Sequence, residues 1–470
     1  MLKPIAFKTK NDNWYIYDNK TRFVLPINDV ELCENDLDKN GNVIEVGKIH
    51  QIKNKYKKYP LFEDFDISNE MDIWVEGSKD FITSNGIRQL TLIITEACNF
   101  RCKYCFYSDE YEYSRNHSKN MMDWSIAKKS IDYYFNFNKN VLTYNPNFKP
   151  TIGFYGGEPL LNWDVIYKSV EYIKDNYASN YKEVFYTITT NGYLLNSEKS
   201  KYLLDNGFSI AVSLDGNKED HNRNRILHNR EKTYDSVIRN IIELDRIYRD
   251  LSRENNTIYP YTLLMTYDNN TSFSNTIKAA LEMPDIFNKF RKINKVKSMN
   301  TNYYNGQRGD KEAYADVLDI VNSYIDGNSN GTNIETILFN QLTLFQANNV
   351  NLVNNTSGGT CIPGEKLAVT HSGDMYICER IDYQSSIGNI DEGINWNLQK
   401  KYLEDFISIK KSYCKSCNIS NLCNLCFANC SCGDDKFFMN EEYCNKYKHN
   451  ITKLFSLYYT ALENGQVSKV

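Results

Sequence analysis

The chain is predicted to be an α/β protein built around a parallel sheet. Between residues 88 and 266, short apolar strands alternate with helical stretches, which is typical of βα units. The predicted strands are 89–95, 151–155, 184–190, 209–214 and 259–266, and the predicted helices are 122–135, 163–176, 198–206 and 234–248. Polar motifs follow several of these strands directly. In parallel α/β proteins, that edge of the sheet is where ligands bind.

Length, net charge and hydrophobicity give no indication of nucleic-acid binding or of a membrane span. The chain has 470 residues, which is enough for two or three domains with cores of their own. A formal net charge of −4 gives no support for nucleic-acid binding. No segment reaches the roughly 18 apolar residues that span a bilayer, and no signal-like segment begins the chain. A soluble, cytoplasmic protein without membrane or nucleic-acid partners is expected.

Four regions are predicted along the chain. Residues 1–85 are expected to form a small α+β module from three strand-like runs, Trp14–Tyr17, Phe23–Pro26 and Met71–Val75. The regions that follow are the α/β region 86–335, a cysteine-rich region 336–448 and a C-terminal segment 449–470 with a helix at Ile451–Glu463.

The distribution of the 13 cysteines predicts metal or redox chemistry. Three lie at 98–105 and nine at 361–444, and only Cys33 stands alone. In a cytosolic chain of this size, such clustering indicates metal binding rather than disulfides.

Cys98, Cys102 and Cys105 follow the first strand of the α/β region with the spacing C-x3-C-x2-C. Three thiolates from one short loop can bind three irons of a cubane and leave the fourth iron open to a ligand. The alternative is zinc, although zinc sites usually combine two short Cys or His hairpins. The loop resembles the signature of the radical S-adenosylmethionine (SAM) superfamily. That resemblance implies a partial (β/α)6 TIM-type barrel and a [4Fe-4S] cluster at which SAM is cleaved to a 5′-deoxyadenosyl radical.

Two further motifs resemble SAM-binding segments of the same superfamily. Gly156, Gly157 and Glu158 match the GGEP segment, which implies contact with the methionine amino group. Asn191 lies in a Thr-Asn-Gly segment, which implies a position near the SAM ribose. The alternative for Asn191 is an ordinary Asn-Gly turn.

A third motif, Ser-Leu-Asp-Gly, contains Ser213 and Asp215. It resembles the segment of peptide- and protein-modifying members in which the serine and a downstream arginine contact the SAM carboxylate. Arg225 is the preferred arginine, with Arg223 and Arg230 as competitors, since a guanidinium pairs well with a carboxylate. Tyr104, inside the cysteine loop, is expected to shield the cluster.

The second cysteine group resembles the SPASM extension of radical SAM enzymes. Its first half matches at Cys361, Gly373 and Cys378, and the second half departs from the family at Phe427, where a cysteine is expected. The other matching positions are Cys414, Cys417, Cys423 and Cys444.

This resemblance implies two auxiliary [4Fe-4S] clusters, and therefore three clusters in all. The first would use Cys361, Cys378 and either Cys426 or Cys430. The second would use Cys414, Cys417, Cys423 and Cys444. A four-cysteine zinc knuckle at Cys414, Cys417, Cys423 and Cys426 is the alternative, but it leaves five of the nine cysteines unused.

The resemblance further implies a peptide-modifying oxidoreductase. The preferred function is a peptide maturase that forms an intrapeptide crosslink, namely a thioether from a Cys sulfur, in a ribosomally made precursor peptide. An electron donor such as flavodoxin or ferredoxin is implied, and residues 1–85 would fit a leader-peptide recognition element that adds the leader as a strand.

Three alternatives remain at this point. A sulfatase-maturing oxidase carries an Asp base directly after the second cysteine of the hairpin, where this chain has Glu379. Glu379 and Asp374 are the candidate proton acceptors. The second alternative is a carbon–carbon crosslinking maturase. The third, outside enzymes, is a zinc-stabilised peptide-binding module.

Overall fold

The computed structural model describes residues 3–28, 31–63, 68–111, 115–254, 259–296, 301–343, 364–380, 386–415, 417–423, 425–432, 436–439 and 441–467. Its N-terminal elements are β1 (Ile5–Lys8), β2 (Trp14–Tyr17), β3 (Val24–Ile27), α1 (Val46–Lys55) and α2 (Ser68–Asn85). The first three strands form an antiparallel sheet in the order β1-β2-β3.

The run Met71–Val75 lies within α2, so the predicted strand at this position is wrong. Met71, Val75 and Ile82 are all buried. Their spacing of four and seven residues places them on one face of a helix. A five-residue run with four apolar residues does not distinguish a helix from a strand, which is why the sequence pattern misled.

The central region alternates strands and helices, as predicted. In chain order its elements are β4 (Gln89–Thr95), α3 (Trp124–Asn138), α4 (Val141–Tyr144), β5 (Thr151–Gly156), α5 (Trp163–Asn176), β6 (Phe185–Thr190), α6 (Ser197–Asp205), β7 (Phe208–Ser213), α7 (Lys218–Asn224), α8 (Tyr234–Glu254), β8 (Thr262–Tyr267), α9 (Phe273–Glu282), α10 (Pro284–Phe287) and β9 (Phe290–Lys295). Strands β4 to β9 are parallel and lie in sequence order. This topology confirms the α/β fold class and the six-stranded partial barrel.

The two faces of this sheet differ in burial. Along β6, β7 and β8, buried residues alternate with partly exposed ones. The buried set packs with the helices in the main core. The other set defines the inner face of the sheet: Phe185, Thr187, Thr189, Ser209, Ala211, Ser213, Thr262, Leu264 and Thr266.

The C-terminal region begins as an extension of the same sheet. Its elements are α11 (Asp310–Ile325), α12 (Asn333–Thr343), β10 (Lys366–Val369), β11 (Asp374–Tyr376), β12 (Gly388–Asn389), β13 (Gly393–Ile394), α13 (Trp396–Cys414), β14 (Ser431–Cys432), β15 (Lys436–Phe437) and α14 (Glu441–Glu463). Strand β10 pairs parallel with β4, and β11 to β13 continue the sheet antiparallel.

The closing helix α14 begins ten residues before the predicted start at Ile451. It packs against the N-terminal strand β1. The ring of Phe455 on α14 stacks on that of Phe7 in β1, with centroids 4.9 Å apart. Helices α12 and α14 cross the predicted boundaries at 335 and 448. The division into four regions therefore stays a prediction. In the described residues, no helix is both long and apolar enough to cross a membrane.

Candidate functional site

Cys98, Cys102 and Cys105 lie in the loop after β4, at the carboxyl edge of the parallel sheet. The backbone N–H groups of Phe100 and Tyr107 donate to the Sγ atoms of Cys98 at 3.3 Å and of Cys105 at 3.4 Å. Burial raises the pKa of all three thiols, that of Cys102 to about 12. Iron would convert such thiols to thiolates, so cluster binding would release protons. Half-buried thiols that already accept N–H bonds fit an iron–sulfur cluster.

Gly156 and Gly157 let β5 approach the cysteine loop closely. A Cβ atom at Gly156 would lie 2.0 Å from the carbonyl oxygen of Thr95, and one at Gly157 would lie 2.3 Å from that of Ala97. The N–H groups of Gly157 and Glu158 donate to the same two carbonyls, at 2.8 and 2.9 Å. Glycine is required because the backbone leading into the cysteine loop occupies the space of a side chain. These glycines therefore position the loop.

The Glu158 carboxylate is buried between the ends of β5 and β6. Its Oε1 accepts hydrogen bonds from the N–H of Leu160 at 3.1 Å and the hydroxyl of Thr190 at 2.7 Å, and its Oε2 accepts from the N–H of Asn191 at 2.7 Å. Burial raises the pKa of Glu158, although these donors oppose the shift. The Asn191 amide in turn donates to Oδ1 of Asn99 at 2.8 Å. Glu158 thus connects the β5 edge to an asparagine that faces the cysteine loop.

Replacing Glu158 with glutamine is expected to lower the free energy of unfolding by about 1–3 kcal/mol, because an amide NH2 would face a buried donor. Glu158 is 1% exposed, so water cannot compensate. Denaturant unfolding of the apo chain measures the difference. Glu198→Gln, on an exposed residue in the first turn of α6, is the matched control and should change stability by no more than a few tenths of a kcal/mol. Equal stability of the two variants would contradict the expectation.

Tyr104, a half-buried residue of the cysteine loop, contacts the buried side chains of Asp215 and Arg225. The Tyr104 hydroxyl donates to the Asp215 carboxylate. Arg225 Nη1 donates to the Tyr104 oxygen at 2.8 Å and lies 4.0 Å from Asp215 Oδ1, which also accepts the Thr266 N–H at 3.0 Å. The Arg225 guanidinium lies 5.8 Å from the centre of the Phe100 ring, and its buried Nε has no hydrogen-bond partner in the described part of the chain. An unused donor on a buried guanidinium fits a ligand carboxylate.

Of the three candidate arginines, Arg225 is the one that bonds to Tyr104 of the cysteine loop in the described part of the chain. Arg223 is engaged by two aspartates, one of them at 2.7 Å. Arg230 is exposed in a turn and has a φ of 68°. Ser213 is the last residue of β7 and lies on the inner face. Residues predicted from four separate motifs therefore meet at one edge of the sheet.

Four of the C-terminal cysteines line one cavity of about 200 Å³: Cys414, Cys417, Cys423 and Cys444. Burial raises the pKa of Cys414 to about 11 and that of Cys423 to about 12. Within the described ranges, no three His, Cys, Asp or Glu side chains are arranged to hold a single metal ion. Tetrahedral zinc would need sulfur atoms about 3.8 Å apart, whereas a cubane binds each thiolate to a different iron. The cavity brings together the four thiols expected for a four-cysteine cluster, with Cys444 where the zinc alternative would use Cys426.

The predicted ligands of the first auxiliary cluster are only partly described. Cys361 lies outside the described residues, and so does the side chain of Cys432. The pKa of Arg380 is raised by Tyr155 first, and then by Glu379, Cys378 and Cys426. Arg380 thus lies close to the thiols of both Cys378 and Cys426.

Cys430 lies near Lys410, as do Cys414 and Cys423 of the four-cysteine cavity. It is fully buried in the main core. Burial lowers the pKa of Lys410. The nearby thiols of Cys414, Cys423 and Cys430 act in the opposite direction and raise it. Cys426 and Cys430, which the sequence left as alternatives, therefore face different surroundings.

Glu379 is the residue after Cys378, in the segment that follows β11. Its Oε2 lies 2.7 Å from Nζ of Lys366 and 3.6 Å from Sγ of Cys378. Burial alone would raise the pKa of Glu379, but the Lys366 charge and hydrogen bond lower it below its ordinary value. The carboxylate is therefore ionised and held beside a predicted cluster ligand.

Asp374, the other candidate proton acceptor, lies at the opposite end of β11. It accepts hydrogen bonds from the hydroxyl of Ser372 at 2.6 Å and from the amide of Asn389 at 3.1 Å. These contacts fix the hairpin turn between β10 and β11. Glu379 is therefore the better placed of the two for chemistry near Cys378.

Sequence reasoning missed a link between the cysteine loop and the β10–β11 hairpin. Glu96, two residues before Cys98, is buried and accepts hydrogen bonds from Ser118 at 2.6 Å and Asn120 at 3.1 Å. Its other oxygen lies 3.5 Å from Nδ1 of His371. In the sequence, the only signs of this link are an acidic residue at the end of an apolar strand and a histidine in the hairpin turn. Neither indicates a distant partner.

Part of the chain is similar to known proteins. Residues 92–260 match the model of the radical SAM superfamily. A cysteine-type anaerobic sulfatase-maturating enzyme of Clostridium novyi is 31% identical over 34% of this chain and 41% of its own length. The radical SAM cyclopropyl synthase TigE of Paramaledivibacter caminithermalis is 26% identical over 52% of this chain and 49% of its own. The chain thus spans about half the length, or less, of these curated relatives.

Among solved structures, anSMEcpe with bound AdoMet and Cp18Cys peptide superposes with a TM-score of 0.55 at 22% identity. The superposition covers 79% of this chain and 98% of that one. The likeness extends beyond the family-model match, into the C-terminal region, and it concerns the fold.

Proposed function

Because residues 92–260 match the model of the radical SAM superfamily, we propose that this chain is a radical SAM enzyme that modifies a peptide or protein. The observation that carries the proposal is the meeting of three thiols with the Tyr104–Asp215–Arg225 group at one edge of the sheet. Cys98, Cys102 and Cys105 would hold a [4Fe-4S] cluster. Arg225, with its unused Nε, would bind the carboxylate of SAM.

When bound, the cluster and SAM supply a 5′-deoxyadenosyl radical after one-electron reduction. The chain's own contribution is positioning. Glu158 and the two glycines fix the loop, and Asn191 lies against it through Asn99. Tyr104 bonds to both Asp215 and Arg225, and it would shield the cluster from bulk water.

We also propose two auxiliary clusters. Cys414, Cys417, Cys423 and Cys444 would hold one, since all four line one cavity. Cys378 and Cys426 would belong to the other, because Arg380 lies near both thiols. Cys361 is the proposed third ligand of that cluster. Lys366 would keep Glu379 ionised beside it, ready to accept a proton from a bound substrate.

The preferred reaction is thioether formation within a ribosomally made precursor peptide. The substrate would lose two hydrogens, one as an atom to the deoxyadenosyl radical and one as a thiol proton, and the remaining electron would pass to an auxiliary iron–sulfur cluster. Residues 1–85 would recognise a leader peptide at the β3 edge of the N-terminal sheet. A flavodoxin or ferredoxin in the cytoplasm would supply the reducing electron.

Maturation of a sulfatase is the second candidate. It is favoured by the 31% identity to a sulfatase-maturating enzyme and by the shared fold of a structure that contains a bound peptide. Glu379 would then occupy the place of the catalytic base. The similarity to TigE keeps carbon–carbon bond formation as a third candidate.

Anaerobic reconstitution followed by mass spectrometry tests these proposals. The loaded chain is expected to be brown and to contain about 12 irons, if three cubanes form. Incubation of a peptide from a neighbouring reading frame with SAM and a reductant should then release deoxyadenosine. A thioether keeps the sulfur and removes two hydrogens, whereas formylglycine formation from cysteine expels the sulfur. Colourless protein with stoichiometric zinc would overturn the enzyme proposal.

Replacing Cys423 with alanine is expected to remove about four irons while deoxyadenosine release persists, because the four-cysteine cavity is separate from the loop at 98–105. Iron analysis and chromatography measure the two quantities. Cys33→Ala is the matched control, since Cys33 is an exposed cysteine outside both groups. An unchanged iron content in Cys423→Ala would rule out the assignment of this cavity.

A further inference from the structure

The loop from Cys417 to Cys423 forms part of the wall of the four-cysteine cavity. Cys417, Ile419, Ser420 and Cys423 all line that cavity. Two of them are proposed cluster ligands, so the position of this loop decides where two of the four thiols lie. Whatever fixes the loop therefore also fixes half of the proposed ligand set.

The N-terminal sheet packs against this loop. Ile419 and Leu422 are buried in an apolar cluster whose other members come from strands β1 and β2 and from helix α14: Ile5, Phe7, Tyr17, Ile451 and Phe455. Cys417 packs against the same cluster. Apolar packing holds the loop close to the sheet, but it is non-directional and does not fix individual backbone atoms.

Asn19, in the turn between β2 and β3, supplies directional contacts. Its side-chain NH2 donates to the hydroxyl of Ser420 at 2.9 Å and to the carbonyl oxygen of Cys417 at 3.4 Å. Its Oδ1 accepts hydrogen bonds from the backbone N–H of Asn421 at 3.1 Å and from the hydroxyl of Tyr17 at 3.3 Å. An asparagine side chain has two N–H donors and an oxygen that accepts two hydrogen bonds. All four are therefore used, and three of them bind the loop.

The hydrogen bonds between Asn19 and residues 417–421, which we call the Asn19 clamp, are buried and run in both directions. The side-chain NH2 of Asn421 donates to the backbone carbonyl of Asn19 at 2.6 Å. Asn19 is 3% exposed and Asn421 is 5% exposed. Water cannot readily replace a partner that is lost from such a site, so an apolar side chain at position 19 would leave buried polar groups of the loop unsatisfied.

We propose that Asn19 is a positioning residue for the auxiliary cluster at Cys414, Cys417, Cys423 and Cys444, so that the N-terminal sheet forms part of the cluster site. This inference rests on the proposed function, because it assumes that these four cysteines hold a cluster. Asn19 acts through the loop backbone and Ser420 rather than through a sulfur atom. Solvent exposure and hydrogen bonds to the sulfurs determine the electronic properties of an iron–sulfur cluster. Releasing the loop should therefore alter the cluster's spectrum and speed its loss.

Electron paramagnetic resonance of the reduced, cluster-loaded full chain tests this inference. The auxiliary cluster is identified as the signal that is missing from Cys423→Ala. Asn19→Leu keeps the approximate size of the side chain and removes its polar atoms, and the shape of this signal should change. Under anaerobic conditions, the ferrous chelator bathophenanthroline disulfonate should remove the signal about tenfold faster than from wild type. Losses of this size are typical when an outer-shell partner of a metal ligand is removed.

Ser420→Ala is the milder test of the same clamp, because it removes only the acceptor at 2.9 Å. It should speed the loss of the signal by about threefold, as expected for one hydrogen bond. The logarithms of the two effects should add to less than their sum in the double variant, since both substitutions break the same contact. Strict additivity would show that Asn19 does not act through Ser420 and would contradict the clamp.

Two controls separate positioning from general stability. Asn13→Leu changes an asparagine in the neighbouring turn between β1 and β2, whose amide donates to Glu463 of α14 at 3.1 Å. Ile16→Ala removes buried volume from the opposite face of β2, in the core that the sheet shares with α1. It should lower the thermal midpoint of the apo chain at least as much as Asn19→Leu does. Both controls should keep the wild-type signal and its rate of loss.

A wild-type signal and rate of loss in Asn19→Leu would overturn the inference, and so would an equal acceleration in Ile16→Ala. If Asn19→Leu does not fold, a wild-type rate in Ser420→Ala has the same meaning. The iron content of Cys423→Ala reports on the proposed cluster separately. If Cys423→Ala keeps all of its iron, the cluster is absent and the inference fails with it. If Cys423→Ala loses iron and the Asn19 and Ser420 variants resemble wild type, only the inference fails.

Discussion

Replacing Cys102 with alanine is expected to abolish reductive cleavage of SAM. Cys102 is the central cysteine of the loop, and the Arg225 charge partly opposes the burial that raises its pKa. Losing even an outer-shell partner of a metal ligand typically costs 10–100-fold in affinity or activity. Losing the ligand itself should reduce deoxyadenosine release by more than about 100-fold. Chromatography of the anaerobic reaction with dithionite measures the rate.

Cys33→Ala again provides the control, since Cys33 is exposed and distant in sequence from both cysteine groups. It should retain wild-type deoxyadenosine release. Auxiliary iron should persist in Cys102→Ala, so that the variant keeps about two thirds of the wild-type iron if three cubanes are present. A wild-type rate of SAM cleavage by Cys102→Ala would contradict the assignment of this loop.

Replacing Arg225 with methionine is expected to lower the free energy of unfolding of the apo chain by about 3–5 kcal/mol. Removing one partner of a buried charged pair leaves the other uncompensated, and Asp215 is only 1% exposed. Tyr104 would also lose the donor that bonds to its oxygen at 2.8 Å. Denaturant unfolding followed by circular dichroism measures the loss.

A second substitution tests the cause of that loss. Asp215→Asn combined with Arg225→Met removes both charges and should recover part of the stability. SAM affinity should stay low in both variants, because the carboxylate contact of Arg225 is absent. Arg230→Met, at the exposed competitor, should change stability by no more than about 0.5 kcal/mol. A loss in Arg225→Met as small as that in Arg230→Met would contradict the account.

The central fold was predictable because its signals are local. Gln89–Thr95 and Trp163–Asn176 have the predicted bounds, since long apolar runs and helical periodicity follow from neighbouring residues. The cysteine loop was predictable for the same reason, as its three ligands lie within eight residues. The strand predicted at Met71–Val75 was wrong because four apolar residues in a run of five fit a helix and a strand equally well.

Contacts between distant segments could not be predicted. Nothing near Gly156 in the sequence shows that its neighbour is the carbonyl of Thr95, because strand pairing brings them together. The sequence likewise left Cys426 and Cys430 as alternatives, and only tertiary packing places Arg380 near one and Lys410 near the other.

Electron paramagnetic resonance of the reduced, cluster-loaded chain tests the central claim most directly, because it detects whether SAM reaches an open iron of the cluster at Cys98, Cys102 and Cys105. Adding SAM is predicted to shift the signal of one reduced cluster. That signal should be absent from Cys102→Ala and unaffected in Cys423→Ala. Identical wild-type spectra with and without SAM would contradict the claim that this loop holds a SAM-binding cluster.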